Sequence, residues 1–311
     1  MRAVFICSAR YSGSTLLNLL LGSHPEAAAL GEITQFPKNL AMDTTCTCGA
    51  PARRCTVWQQ VVQRLKADPR WRHIDADPYV LHLGMIRAGN VVDTRQQTKP
   101  RMLYRKLLYG LAFAHFRWDL GSLSRFSEPL RAACENKLAL FKIISEVLST
   151  EVLVDSSKHY LEAVTLYKTA PSNVRIVLLV RDGRAVYYSG LKRGNSRQTA
   201  LKEWRRTYAR ALPVLRRHVG DEHLIQIRYE ELVRAPEGEL VRLCDFLGIG
   251  YTPAMLDFRS KCHHMLNGND MRLSRASEIR PDFTWRERLS VRDLGYFDTR
   301  AGALNRALGY G

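Results

Sequence analysis

Small and hydroxylated residues follow the first apolar run of the chain, where they could bind an anion. Residues 4–21 read VFICSARYSGSTLLNLLL, which predicts a buried strand ending at Cys7, a polar loop and an amphipathic helix. The first helical turn is expected to hold Ser12, Gly13, Ser14 and Thr15. The first N–H groups of a helix lack internal partners, its dipole favours an anion, and Gly13 permits close backbone approach. The loop therefore predicts a phosphate or sulfate site, with N-capping of a core helix as the alternative.

This loop differs from the loop that binds nucleoside triphosphates. That loop reads GxxxxGK[ST] and uses its lysine for the terminal phosphates and its hydroxyl for magnesium. No lysine precedes Ser14 and Thr15 here, and no aspartate follows a later strand in an obvious magnesium-binding pattern. We therefore expect an anion site that requires no metal ion.

Two further predicted strands end in hydroxyl or cationic side chains. EVLVD at 151–155 precedes Ser157 and Lys158, and VRIVLLV at 174–180 precedes Arg181. Helical patterns follow both strands, which predicts an α/β fold with a P-loop-like parallel sheet flanked by helices. Ligands of such sheets bind at the carboxyl ends of the strands. That edge is expected to hold Arg10 with the loop, Ser157, Lys158, Arg181, Arg184 and, two helical turns further on, Ser189.

A carboxylate is expected at the same edge. Glu32 follows the helix stop and turn at Ser23-His24-Pro25, which should bring the chain back towards the top of the first strand. A carboxylate beside an anion site is electrostatically unfavourable unless the chemistry needs it. Glu32 is therefore a candidate general base for an acceptor hydroxyl, with an ordinary surface glutamate as the alternative.

The chain length is compatible with one α/β domain over residues 1–311. Residues 58–149 are predicted to form a mostly helical insert that caps the site. Within it, the apolar stretch 107–118 with basic flanks favours core packing over contact with a membrane or a lipid acceptor, since basic amphipathic helices can also lie at an interface.

The charge and hydropathy patterns narrow the class of partner. A net charge of +17 attracts polyanions, but it is spread along the chain, which favours a basic cleft over nucleic-acid binding. No apolar stretch reaches the length of a transmembrane helix, and the first residues lack the pattern of a secretory signal. The expected location is therefore the cytoplasm.

Three cysteines lie close together in the sequence. Cys46, Cys48 and Cys55 have a C-x-C spacing that differs from the usual spacing of zinc ligands. Cys262, His263 or His264 could supply a fourth ligand only if the chain folded back. We therefore interpret the cluster as a structural turn, not as a metal site.

A polar and basic segment follows at residues 263–289. It is predicted to close over the ligand as a flap, with Asn269, Arg272 and Arg275 as phosphate contacts. The alternative is a surface loop before a last helix.

Taken together, these segments resemble sulfotransferases that use 3′-phosphoadenosine-5′-phosphosulfate (PAPS), notably bacterial members and the carbohydrate and tyrosylprotein branches. The stretch 10–15 is similar to their 5′-phosphosulfate loop, and 180–186 with Ser189 to their 3′-phosphate motif. His24-Pro25 before Gly31-Glu32 resembles branches in which such a glutamate is the base. The stretch 228–232 and the late 268–272 are also similar to bacterial members.

The resemblance implies PAPS as co-substrate, PAP (adenosine 3′,5′-bisphosphate) as product, and in-line sulfuryl transfer to a hydroxyl or amine acceptor. It implies Arg10, Tyr11, Ser12, Gly13, Ser14 and Thr15 at the phosphosulfate, and Arg181, Ser189, Asn269 and Arg272 at the other phosphate contacts. Glu32 would accept the acceptor proton. The family places a basic residue where Tyr11 stands, so either Arg10 or Lys158 would stabilise the leaving phosphate.

Several questions stay open at the level of sequence. A carbohydrate, lipid, natural product or phenol would each serve as acceptor. A metal-dependent nucleotide kinase on a similar sheet and a non-catalytic polyanion-binding protein are the alternative functions. The absent GK[ST] argues against the kinase, and binding without nucleotide selectivity would favour the polyanion-binding protein.

Overall fold

The computed structural model describes residues 1–84, 99–274, 278–279 and 281–311. The strands are β1 (Arg2–Cys7), β2 (Ala27–Gly31), β3 (Val152–Lys158), β4 (Val174–Val180) and β5 (Leu224–Arg228). The helices are α1 (Ser14–Gly22), α2 (Phe36–Ala41), α3 (Thr56–Lys66), α4 (Lys99–Trp118), α5 (Glu128–Leu148), α6 (Tyr160–Thr169), α7 (Gly183–Leu191), α8 (Arg197–His218), α9 (Tyr229–Arg234), α10 (Pro236–Leu247), α11 (Trp285–Arg288) and α12 (Val291–Ala307).

The five strands form one parallel sheet in the order β2-β3-β1-β4-β5. The predicted α/β class is therefore confirmed, with β1 at the centre of the sheet. All carboxyl ends lie at one edge because every pair is parallel. Sequence reasoning missed β2, since AAALG lacks the β-branched and aromatic residues that signal a strand.

Helices cover both faces of the sheet, and each strand divides its side chains between two cores. On β1, Phe5 belongs to one buried cluster while Val4 and Ile6 belong to the other. The alternation arises because successive side chains of a strand point to opposite faces of the sheet. It leaves the strand ends as the place where polar groups from neighbouring strands can meet.

Two prolines lie within helical sequence patterns, and the structure treats them differently from what those patterns predict. Pro213 in the basic stretch 197–219 predicts a kink or break, yet α8 runs continuously through it. The pattern that starts at Tyr229 predicts one helical segment through Pro236 to Leu247, whereas the structure has two helices, α9 and α10, with Ala235 between them at φ −136°. The residue before a proline avoids the helical region, and Pro236 then begins α10 at a position where its missing N–H has no cost.

The stretch between β2 and β3 contains α2 to α5. On α4, Leu108, Ala112 and Phe116 are buried at helical spacing, as core packing requires. Within the described ranges, no helix has the length and apolarity needed to cross a membrane.

Candidate active site

The loop after β1 adopts backbone conformations that few residues tolerate. Tyr11 has φ 63° and Gly13 has φ 87°, and Gly13 is the N-cap residue of α1. A Cβ on Gly13 would lie 2.3 Å from the ring of Tyr229, so any larger residue must displace that ring. Glycine is therefore needed here for both conformation and space. The chain thus turns tightly into α1 and presents the free N–H groups of its first turn.

Helix α8 holds this loop in place through the hydroxyl of Tyr208. The hydroxyl of Tyr208 accepts from the Ala9 N–H at 3.2 Å and donates to the Leu179 carbonyl at 2.8 Å. It also lies 3.2 Å from the hydroxyl of Ser12, which is fully buried. The Ser12 hydroxyl therefore faces the core and not the predicted anion site. Its contribution is to hold the loop in place.

A cavity of about 680 Å³, here called the loop cavity, opens at the carboxyl edge of the sheet. It is lined by ten of the residues that the sequence placed in the site: Arg10, Tyr11, Gly13, Ser14, Thr15, Glu32, Lys158, Arg181, Ser189 and Asn269. The loop, the ends of β3 and β4 and the last turn of α7 thus meet around one space. Its volume lies in the usual range for small-molecule sites.

Arg181 connects the end of β4 to the loop. Its Nη1 donates to the Tyr11 carbonyl at 2.9 Å, and its guanidinium lies 4.4 Å from the centre of the Tyr229 ring. Its Nη2 is 3.5 Å from Asp282, whereas its buried Nε has no hydrogen-bond partner within the described part of the chain. A phosphate oxygen bound beside the loop could accept a hydrogen bond from this buried N–H.

Glu32 and Lys158 form an ion pair in the wall of the loop cavity. Their side chains are 27% and 18% exposed, so both can still contact a ligand. Lys158 has φ 76° at the end of β3, where the register with β1 shifts between Phe5 and Cys7. This left-handed residue directs the strand end towards Glu32, which follows β2. The sequence could not show that the predicted base and the predicted cation are partners.

A buried cluster beneath this pair was not predicted. The ammonium of Lys137, which is fully buried on α5, donates to Asp155 at 2.9 Å, to Thr34 at 2.6 Å and to Glu162. Burial tends to lower the pKa of Lys137, but the two carboxylates raise it above its ordinary value. Burial raises the pKa of Glu162. A lysine in an apolar helix has no sequence pattern that distinguishes it from a surface lysine.

This cluster positions the predicted catalytic pair. Asp155 accepts from the backbone and hydroxyl of Ser157 at 2.8 and 2.5 Å. The Ser157 hydroxyl oxygen in turn accepts from the N–H of Thr34 at 3.1 Å. Thr34 and Ser157 lie close in sequence to Glu32 and Lys158, so the network fixes the spacing of the two strand ends.

The late segment reaches the loop cavity only in part. Asn269 lines it, and its N–H donates to the Thr15 hydroxyl oxygen at 3.1 Å. Arg272 does not line it; this guanidinium donates to the Thr45 carbonyl at 2.9 Å. Arg275 lies outside the described residues.

Arg184 is also turned away from the loop cavity. Its guanidinium pairs with Asp182 at 2.7 Å and donates to the carbonyl of Gly311 at 2.6 Å. The strand-end arginine that reaches the cavity is therefore Arg181.

The fourth ligand that the cysteine cluster lacked in sequence is supplied by folding. The segment that contains His264 returns to the loop of Cys46, Cys48 and Cys55, and the four side chains meet. The incomplete ligand set, on which the interpretation as a simple turn was based, is complete in three dimensions.

Comparison with known proteins agrees with this geometry. The model of a family described as the sulfotransferase family matches residues 3–253, which is most of the chain. The chain belongs to the sulfotransferase family. A Caenorhabditis briggsae protein assigned to the protein-tyrosine sulfotransferases is 28% identical over 110 residues, a match that covers 33% of this chain and 37% of that protein. The match thus spans just over a third of the relative's length.

A solved structure shows the same fold. The sulfotransferase domain from the curacin biosynthetic pathway has a TM-score of 0.50 and 18% identity, covering 99% of this chain and 97% of that one. At this identity the likeness concerns the fold alone. The sulfotransferase domain of the Synechococcus PCC 7002 olefin synthase has a lower TM-score of 0.45 with 20% identity, covering 96% of this chain and 94% of that one.

The chain has a second cavity of about 570 Å³, here called the helix cavity, beside the first. It is lined by α4, α8 and the end of β3, and Arg10 and Lys158 line both cavities. Its other cationic side chains are Arg105, Lys106, Lys202, Arg206 and Arg210, and Glu203 is its carboxylate. Helix α4 belongs to the predicted insert at residues 58–149, but no sequence pattern indicated that α8 would enclose a space with it.

The wall of the helix cavity also contains a half-buried histidine. The His159 ring stacks on Tyr160 with a centroid distance of 5.0 Å and lies 4.9 Å from Tyr109. Burial, followed by the charges of Arg105, Arg206 and Arg210, lowers the pKa of His159 to about 4. The imidazole is therefore neutral near pH 7.

Proposed function

We propose that this sulfotransferase moves the sulfuryl group of PAPS to a hydroxyl acceptor. The observation that supports this most directly is the single loop cavity, which joins the anion-type loop at one end to Arg181 and Ser189 at another. PAPS carries anionic groups at two positions of one nucleotide. A site for it must therefore supply two separate groups of donors, as this cavity does.

The residues present fit this co-substrate. The N–H groups at the start of α1 and the hydroxyls of Ser14 and Thr15 would bind the 5′-phosphosulfate. Arg181, whose Nε lacks a partner in the described chain, and Ser189 would bind the 3′-phosphate. Trp204 donates from Nε1 to the carbonyl of Arg181 at 3.1 Å and thereby holds this arginine in place.

The chemical step breaks the bond between sulfur and the bridging phosphate oxygen and forms one between sulfur and the acceptor oxygen. Glu32 takes the acceptor proton, and Lys158 stabilises the negative charge that develops on the departing phosphate. An ammonium has three N–H donors. Lys158 directs one to Glu32 and lies 3.4 Å from the Ser156 carbonyl, so one donor is available to PAPS. The products are the sulfated acceptor and PAP.

The acceptor would occupy the helix cavity, because Arg10 and Lys158 form a wall shared with the loop cavity. Seven lysine and arginine side chains line it against one carboxylate, and Tyr109, His159 and Tyr160 add ring surface. This favours a hydroxyl acceptor that also carries a negative charge, because charge complementarity selects partners. A ring-containing acceptor such as a phenol or carbohydrate would pack on the aromatic side.

The first test is calorimetric binding of PAP, compared with ATP in the presence and absence of magnesium. We expect PAP to bind without magnesium and more tightly than ATP, and Arg181→Ala to weaken PAP by roughly tenfold to a hundredfold, since a charge-assisted contact contributes about 1.5–3 kcal/mol. Arg184→Ala, three positions further on but outside the cavity, is the matched control. Magnesium-dependent ATP binding would favour the kinase, and equal, salt-sensitive binding of every polyanion would favour the non-catalytic alternative.

Location and membrane contact belong to this proposal. We propose action in the cytoplasm, which the free thiols of all seven cysteines support. Leu103, Tyr104 and Leu107 are exposed on α4, close to Arg105 and Lys106 at the helix cavity. They would form the surface for peripheral membrane contact, and flotation with anionic vesicles, compared with a Leu103→Ser/Leu107→Ser variant, tests it.

A further inference from the structure

Four side chains with metal-binding atoms converge on one point away from the cavities. Cys46 and Cys48 lie between α2 and α3, Cys55 precedes α3, and His264 belongs to the segment after α10. Their sulfur and nitrogen atoms all lie within 4.8 Å of one another. Cys46 and Cys55 are buried, and the other two are half-buried. Across the described residues, neither the loop cavity nor the helix cavity is lined by any of the four.

The spacing of these atoms matches a tetrahedral zinc site. Zinc–sulfur bonds of about 2.3 Å and zinc–nitrogen bonds of about 2.0 Å place tetrahedral ligand atoms about 3.5–3.8 Å apart. The sulfurs of Cys48 and Cys55 are 3.7 Å apart. The Nδ1 of His264 lies 3.2 Å from the Cys55 sulfur and 3.9 Å from that of Cys46. These three distances differ from the tetrahedral values by a few tenths of an ångström. The widest separation in the cluster, at most 4.8 Å, would have to shorten by about one ångström.

The backbone holds the two segments together independently of any ion. The Thr47 N–H donates to the Met265 carbonyl at 3.0 Å, and the Met265 N–H donates to the Thr47 hydroxyl oxygen at 2.9 Å. That hydroxyl donates to the His263 carbonyl at 2.6 Å. Gly49 turns the cysteine loop with φ 90°, a conformation that favours glycine. These bonds place His264 over the three thiols, so the ligand set is preorganised.

We propose that Cys46, Cys48, Cys55 and His264 bind one structural zinc ion. Three thiols and one imidazole form a closed set of four protein ligands, which is typical of structural zinc and leaves no position for a reacting water. Each thiol loses its proton to solvent as it binds, and His264 binds through Nδ1 as the neutral ring. The zinc then joins the loop before α3 to the late segment.

This link has a consequence for the loop cavity. Asn267 and Asn269 follow His264 closely and line that cavity, and Arg272 donates to the carbonyl of Thr45, the residue before Cys46. The zinc would therefore fix one wall of the nucleotide site. This consequence rests on the proposed function, whereas zinc binding itself does not.

The test is the metal content of the full chain, purified without chelator and measured by mass spectrometry. We expect about one zinc per chain. Cobalt introduced in its place should give the ligand-field spectrum of a tetrahedral site and a thiolate charge-transfer band. Cys48→Ser, which alters a half-buried ligand, should lose most of the zinc. Cys262→Ser is the matched control, because this exposed thiol contacts His264 only at Nε2, the nitrogen opposite the proposed metal-binding Nδ1, and is not one of the four ligands.

The proposal is overturned if the native chain contains no stoichiometric zinc, if another metal occupies the site, or if Cys48→Ser retains zinc as Cys262→Ser does. Should Cys48→Ser fail to fold, release of zinc from the native protein by a thiol-modifying mercurial still decides the question. Zinc binding without PAP binding would refute the proposed function but leave the zinc site intact. PAP binding by a native chain that contains no zinc would refute the zinc site but leave the proposed function intact.

Discussion

The buried ammonium of Lys137 permits a test of how the cluster beneath Glu32 and Lys158 stabilises the carboxyl edge of the sheet. Lys137→Met keeps the length of the side chain and removes its charge. Asp155 and Glu162 then face each other without a cation, in a place where both side chains are nearly inaccessible to water. Removing one partner of a buried ion pair costs about 3–5 kcal/mol, because an uncompensated charge stays buried. We expect a loss of that size in the free energy of unfolding, measured by urea denaturation.

A double variant separates this cause from simple loss of packing. Lys137→Met/Glu162→Leu removes the ammonium and one of its two carboxylates, and replaces both with apolar groups. Asp155 stays buried, with its hydrogen bonds to the Ser157 hydroxyl and the Ile33 N–H. Replacing a buried ion pair with apolar groups is often neutral or stabilising, so the double variant should recover part of the lost free energy. Lys142→Met is the matched control, since this lysine is exposed on the same helix and its change should fall within about 0.5 kcal/mol of zero.

The pH dependence gives an independent check. Burial already raises the pKa of Glu162, and removing the lysine should raise it further. A carboxyl whose pKa is higher in the folded chain takes up a proton on folding, so it costs stability as the pH rises through that pKa. The deficit of Lys137→Met should therefore shrink as the pH is lowered. An equal deficit at every pH, unrelieved in the double variant, would refute this account of the cluster.

Three further outcomes follow from the site. Glu32→Gln should lower the rate constant of sulfuryl transfer by roughly 10²–10⁴-fold while PAP affinity stays unchanged in calorimetry, and full turnover would exclude Glu32 as the base. Gly13→Ala should cost at least about 1–2 kcal/mol in unfolding free energy, because its φ of 87° is unfavourable and its Cβ meets Tyr229; Gly110→Ala, with open space around it on α4, should not destabilise the chain. The free energy of unfolding should fall by about 3 kcal/mol as the pH drops from about 6.5 to about 4, because His159 stays neutral in the folded chain while the unfolded chain takes up a proton; His159→Phe, which keeps a ring but cannot titrate, should flatten that part of the curve.

The parts of the fold that the sequence predicted are those with a local pattern. The apolar runs of β1 and β4 and the glycine and hydroxyls of the first loop stand out from their neighbours, and parallel pairing then required their carboxyl ends to meet. Arg181 and Ser189 could be placed in the loop cavity for the same reason. β2 was missed because alanine carries no strand signal, and the two-helix break at Ala235 was missed because one residue decides it.

The parts that the sequence could not predict depend on contacts between distant segments. Nothing local marks Lys137 as buried, since its carboxylate partners lie beyond the end of its helix in the sequence. His264 reaches the cysteines only because the late segment pairs with Thr47. Residue type alone also did not show the contacts of Ser12 and Arg272. In the structure, the Ser12 hydroxyl contacts Tyr208 and the Arg272 guanidinium donates to the Thr45 carbonyl.

Under the proposed function, the Glu32–Lys158 pair couples the predicted base to the nucleotide. Glu32 lines the loop cavity, where several lysine and arginine side chains could pair with it. The cation that does so is Lys158, which borders both cavities, so the partner of Glu32 is the group that PAPS would engage. Binding of the nucleotide would draw Lys158 towards the phosphate and weaken its hold on Glu32. The Glu32 carboxylate would thus be released towards the acceptor when the sulfuryl donor is bound.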